Sequence, residues 1–147
     1  MVAYGITLFG QRVWLDFRHA KGESQSAWEA LLNSLDQRGL LGANLRLIVM
    51  EGAAGLRAAA ELVYPAAKMQ RWWVHTLRHV AQRCPTKHHA CVRQARAMYL
   101  AANRVQAQAA FQRWKRAWIR RCPKAVACLE QDLEELLSFY DCPSNIG

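Results

Sequence analysis

The sequence predicts an α/β half followed by an all-helical half, and three observations carry that prediction. Short runs with alternating or continuous apolar character are confined to the first half of the chain. From Thr76 onward Ala, Gln, Arg and Leu take over, all good helix formers. In that second half the large apolar residues recur at helical spacing: Phe111, Trp114 and Trp118 fall at i, i+3 and i+7, and Leu129, Leu133, Leu136, Leu137 and Tyr140 share one face further on.

Taken in order, Val2 to Leu8 and Val13 to Phe17 flank Phe9-Gly10-Gln11-Arg12, where a glycine permits a tight turn, so they read as a β-hairpin. Ser26 with Glu29 three residues on forms a capping box for a helix carrying Trp28, Leu31, Leu32 and Leu35 and stopped by Gly39. Leu45 to Met50, apolar except for Arg46, reads as a buried parallel strand with Glu51-Gly52 at its C-terminal edge. An Ala-rich helix from about Ala53 to Leu62 follows, then Met69 to Val74 as a strand ending at His75. The order is hairpin, helix, strand, helix, strand. The aromatic stripe after Thr76 predicts the centre of a small helical bundle, which Asp141-Cys142-Pro143 closes. No internal repeat or low-complexity linker interrupts the chain.

At 147 residues and 52% hydrophobic, the chain is long enough for a core of its own. Its formal charge of +9 is unevenly placed: no acidic residue lies between Glu61 and Glu130, a stretch holding 14 of the 20 lysines and arginines. Such a block faces a polyanion, most commonly nucleic acid, or else forms an ordinary solvated basic surface. No apolar run of membrane-spanning length occurs, which predicts no membrane partner. The N-terminus lacks the basic and apolar regions of a signal peptide, so a cytoplasmic location is expected. The five cysteines, an odd number, are then expected to be reduced thiols.

Several residues bear on chemistry. Glu51 would stand at the C-terminal edge of a sheet, where ligand and metal sites gather, although a lone carboxylate at a strand end is also an ordinary structural feature. Phosphoryl transfer with two Mg²⁺ ions needs several converging carboxylates. Cys84-Pro85-Thr86-Lys87-His88-His89-Ala90-Cys91 holds thiols and imidazoles, both zinc-ligand types, at a spacing that matches no standard finger. Gly52-Ala53-Ala54-Gly55 lacks the Lys-Ser/Thr of a phosphate loop and serves to turn the chain. An active nuclease built on Asp16, Glu23 and Glu51 would follow no recognisable metal-site pattern.

Four stretches together resemble Mutator-type bacterial insertion-sequence transposases over nearly the whole chain. Gly5-Ile6, then Gly22-Glu23-Ser24, Trp28, Leu32, Leu35 and Arg38-Gly39-Leu40 are similar to the family's strand pair and first helix. Leu47-Ile48-Val49-Met50-Glu51-Gly52 with Gly55-Leu56 resembles the strand carrying the second catalytic carboxylate, normally an Asp before Gly. Gln70-Arg71-Trp72-Trp73-Val74-His75 with Leu77-Arg78 resembles the Cys-x-x-His signature. Tyr99, Ala110-Phe111, Pro123-Lys124-Ala125-Val126 and the segment from Leu136 to Pro143 resemble the helical insertion and the stretch that closes it.

The resemblance implies a partial RNase H-like core over residues 1–75, lacking its first strand, a helical insertion over 76–143 and a truncated tail over 144–147. It implies an Asp-Asp-Glu triad using Mg²⁺ to cut and rejoin DNA. Of that triad only the second position falls within the sequence, as Glu51, whose extra methylene displaces the carboxylate by roughly an ångström. Trp72 replaces the signature Cys, and His75 remains. The expectation is therefore a transposase fragment, catalytically incompetent alone and without functionally bound Mg²⁺, that retains DNA binding. Arg71, Arg78, Arg93, Arg96, Arg113, Lys115, Arg116, Arg120 and Arg121 are the candidate phosphate contacts. The rival expectation is an interaction protein that self-associates or binds full-length transposase and interferes with it.

Overall fold

The computed structural model of the chain describes residues 1–19 and 22–142. Two compact units emerge, one over Met1–Met69 and one over Gln70–Asp141. Each has its own buried cluster, as a mixed α/β half and a helical half require.

In the first unit, β1 (Val2–Ile6) and β2 (Arg12–Phe17) pair antiparallel, with an irregularity between Ala3 and Tyr4. The Thr7 hydroxyl accepts from the Phe9 and Gln11 amides and holds the connecting turn, which takes Leu8 out of the expected strand. Helix α1 (Gln25–Gln37) follows, with Trp28, Leu31, Leu32 and Leu35 buried. Its cap is Ser24, whose hydroxyl accepts from the Ala27 amide at 3.3 Å, and not the expected Ser26. The two serines stand two residues apart and compete for one role. With Ser24 as cap, Glu29 is too far along to close a capping box and instead accepts from the Gln25 amide side chain at 2.7 Å. Gly39 follows the helix end with a φ of 103°.

Strand β3 (Leu47–Met50) leads to α2 (Ala54–Val63) and then to β4 (Lys68–Arg71). β3 pairs with β4, while the hairpin forms a separate two-stranded sheet. The expectation of a fully buried β3 is corrected: Met50 is buried but Val49 is 52% exposed, because only the face carrying Ile48 and Met50 packs against the core of this unit. Helices α1 and α2 pack closely at Gly55, where a Cβ would lie 2.9 Å from the Gln25 amide nitrogen. Any larger residue there would push the helices apart. Tyr64, buried beneath α1, reaches the Leu32 and Leu40 carbonyls with its hydroxyl at 3.2 and 3.0 Å.

The second unit departs from the sequence reading at its start. Val74 and His75 belong not to a strand but to the first turn of α3 (Trp73–Gln82). Strand propensity in this stretch is overridden by burial of Trp73, Thr76 and Val80, which share one helical face. The Trp73 indole donates to the Leu136 carbonyl at 2.9 Å, and its ring meets Tyr99 with centroids 5.3 Å apart. A short α4 (Ala90–Ala95) precedes α5 (Arg104–Trp118), capped by the Asn103 side chain, and α6 (Pro123–Leu136), which starts with proline at its first position. Phe111, Trp114 and Trp118 are buried as expected. So are Leu129, Leu136 and Leu137, with Leu133 and Tyr140 partly so. α6 stops at Leu136, earlier than expected, and Ser138–Asp141 forms a 3₁₀ turn in which the Tyr140 hydroxyl reaches the Met98 and Ala101 carbonyls at 2.9 and 2.8 Å. Pro143, expected to end this helix, and the tail over 144–147 lie outside the described residues.

Trp73→Phe keeps most of the buried ring but leaves the Leu136 carbonyl without its donor. It should lower stability by about 1–3 kcal/mol, read as a reduced urea midpoint with unchanged m-value.

Candidate nucleic-acid interface

Glu51 is exposed one residue beyond β3, followed by Gly52 at a φ of 93°, a conformation that turns the chain into α2. No three carboxylates converge among the described residues. Asp16 is held by Arg18 and Arg38, each 3.2 Å away, and does not gather with Glu23 and Glu51 into a metal-binding group. The oxygen-rich site that Mg²⁺ requires is therefore not assembled by these residues. His75 lies in the other unit, half-buried on α3, with its ring 4.3 Å from that of His79 one turn on. Trp72, at the signature position, is exposed and caps α3 only through its backbone.

The nine basic candidates separate by their partners. Arg71 is half-buried with its Nε 3.5 Å from the carboxylates of both Asp132 and Glu135 on α6, an ion pair without good hydrogen-bond geometry. Lys115 pairs with Glu130. Arg104, which was not among the candidates, joins α5 to the closing turn through Glu134, Asp141 and the Leu137 carbonyl. All five acids of this unit thus lie against these three basic side chains. Arg78, Arg93, Arg96, Arg113, Arg116, Arg120 and Arg121 are exposed.

Three of these arginines come together. Arg93 and Arg96 from α4 and the turn after it, with Arg113 from α5, line an open groove of about 600 Å³ together with Leu100 and Trp114. Arg116, Arg120 and Arg121 cluster in sequence around the C-terminal end of α5, and the Arg121 guanidinium lies 5.8 Å from the Trp118 ring centroid. An open groove edged by exposed guanidinium groups that pair with no acid among the described residues suits a phosphate backbone, to which each can donate in a fork. Gln94, missed by the sequence reading, accepts from the Trp118 indole at 2.9 Å and ties α4 to α5 beneath the groove. Its position in a polar run gave no signal of that role.

The Cys84 to Cys91 cluster also rearranges. His88 turns its ring edge toward Trp118, with centroids 5.9 Å apart, while Cys84 and Cys91 are joined by Cys122 from the start of α6. The sequence could not show this, since Cys122 is 38 residues from Cys84.

The chain matches the family described as "Transposase, Mutator family" over residues 1–147. It is 35% identical over 145 residues to the transposase for insertion sequence element IST2 of Acidithiobacillus ferrooxidans, covering 98% of this chain and 49% of that protein. It is 35% identical over 144 residues to the transposase for element ISRM5 of Rhizobium meliloti, covering 97% of this chain and 36% of that one. Against the transposase for element IS905 of Lactococcus lactis the identity is 31% over 146 residues, 99% of this chain and 37% of the relative. The chain spans about half the length of these relatives or less.

The histidine pair supplies a test of the local electrostatics. Burial first, then His75 and Arg83, lower the His79 pKa below 6.5. The fold thus favours the neutral ring, so stability is full above pH 6.5 and declines as pH falls below it, where the unfolded chain takes up the proton first. His75→Gln should move the His79 midpoint upward in an NMR titration; a midpoint that stays put would show that the two rings do not interact.

Proposed function

This chain belongs to the Mutator family of transposases, and we propose that it serves transposition of an insertion sequence by holding DNA through its helical unit, without itself cutting DNA. The observation that carries this reading is the groove edged by Arg93, Arg96 and Arg113 in a unit whose acids are engaged with Arg71, Arg104 and Lys115. Phosphate contact by arginine releases counterions and is nearly blind to base sequence. Arg78, Arg116, Arg120 and Arg121 extend the basic surface, whereas Arg71 and Lys115 serve first as ion-pair partners. Glu51 stands at the position of the second carboxylate, and the hairpin, β3 and β4 are read as part of an RNase H-like core. Cleavage with Mg²⁺ needs several converging carboxylates, and of the family's three this reading gives the chain only the second.

The proposed assignment has a quantitative test in fluorescence anisotropy with unrelated duplexes across a salt series. Arg93→Gln, Arg96→Gln and Arg113→Gln combined should weaken binding and reduce the slope of log K against log salt by about 2 to 3, while Arg71→Gln leaves the slope unchanged. An unaltered slope in the triple variant would remove the groove from the interface, and a preference for one duplex above about a hundredfold would show base reading instead. With Mg²⁺ or Mn²⁺ the chain should leave DNA uncut, before and after Glu51→Asp.

A second reading, association with full-length transposase or with another copy of the chain, is favoured by the hairpin. Phe9, Trp14 and Phe17 are 90%, 78% and 71% exposed, and Tyr4 and Ile6 are also exposed. Aromatic exposure of this extent marks an interaction surface. Trp14→Ser with Phe17→Ser should abolish capture of intact transposase and reduce self-association in sedimentation; capture that survives both changes would place the contact elsewhere.

A further inference from the structure

In the second unit the thiols of Cys84, Cys91 and Cys122 all lie within 4.8 Å of one another. They arrive from three separate places: the turn after α3, the first turn of α4 and the residue that caps α6. Cys91 and Cys122 are fully buried and Cys84 is half-buried. The Cys84 and Cys122 sulfurs are 3.3 Å apart, a contact and not a bond, and the Cys84 thiol also faces the His88 carbonyl at 3.3 Å. We propose that Cys84, Cys91 and Cys122 form a three-thiolate site for a soft closed-shell cation, Cu(I) or Zn(II).

The convergence of three sulfurs separates this site from the simpler alternatives. A disulfide uses two thiols and leaves the third idle, and a purely apolar filler has no reason to point three S–H groups at one spot. With metal–sulfur bonds of about 2.3 Å, trigonal or tetrahedral geometry sets the sulfurs a little under 4 Å apart, so the trio needs only small side-chain adjustments to receive an ion. Thiolates select soft ions over Mg²⁺ or Ca²⁺. Among the described residues no imidazole or carboxylate joins the trio. That favours trigonal Cu(I), while Zn(II) would complete its tetrahedron with a water reaching the half-exposed Cys84 side. Burial and the neighbouring sulfurs push the Cys84 and Cys91 thiols up from their ordinary range, so an ion entering the site displaces their protons. On binding, sulfur–metal bonds form, the thiol protons pass to solvent and no electrons move.

Metal binding is read without DNA, on the full, reduced chain under anaerobic conditions. Cu(I) is titrated against bicinchoninate and Zn(II) against a chromophoric zinc indicator, with thiolate-to-metal absorption as a direct signature. One ion per chain is expected, and whichever titration saturates at that ratio identifies the ion. Cys91→Ala should lose affinity by more than about a hundredfold, beyond the cost of disturbing an outer-sphere group, while Cys128→Ala, outside the trio, binds as the parent does. A second readout needs no variant: in the folded parent, metal should protect Cys84 from an alkylating reagent while Cys128 and Cys142 react as before. Absence of stoichiometric binding for both ions, equal binding by Cys91→Ala, or unprotected Cys84 in the loaded protein would overturn the site.

Discussion

The hydrogen bond from the Trp73 indole to the Leu136 carbonyl joins the two ends of the helical unit, and much of its remaining geometry follows from that closure. The carbonyl lies at the end of α6, where helical partners run out, so it needs an outside donor once buried. Only a residue at the start of α3 with an apolar body and a polar tip can fill the core and supply that donor together. Thr76, on the same face of α3, then meets Asp132 at 3.4 Å, and Arg71 just before the helix reaches the same carboxylate. The closing turn is held in parallel by Tyr140 and Arg104.

That closure also decides what the charges do. Four of the unit's acids lie on α6, and the fifth is Asp141 in the closing turn. They meet basic residues that come from β4, from the first residue of α5 and from near its end. The Arg71 pairs are partly buried, whereas the exposed pairs of Arg104 and Lys115 are open to solvent and add little stability. What they leave over is a set of exposed arginines on α4, α5 and the following turn that pair with no acid among the described residues. Among the described residues, no helix is long and apolar enough to cross a membrane.

The first unit is organised on a different constraint, the close approach of α1 and α2 at Gly55, with Tyr64 bonded into the space below α1. Its hairpin contributes little to this core. Only Met1, Ala3 and Leu15 pack against it, while the aromatic side chains of the hairpin point to solvent. One face of this antiparallel pair, carrying Tyr4, Ile6 and Trp14, is left uncovered in the unit.

Much of this was legible in the sequence because it depends on local pattern. The hairpin, α1, α2 and the buried stripe of Phe111, Trp114 and Trp118 rest on turn glycines and helical spacing, which act within a few residues. The basic block was equally plain, since the absence of acids from Glu61 to Glu130 needs no structure to see. Tertiary structure alone decided the rest. It put Val74 and His75 in a helix because Trp73 is claimed by a carbonyl 63 residues away. It sorted the arginines into those that pair with α6 and those that edge the groove, which identical side chains cannot announce. It brought Cys122 to Cys84 and Cys91 while turning His88 away, because a ligand set is a matter of distance in space, and sequence spacing reports that distance only within a single element.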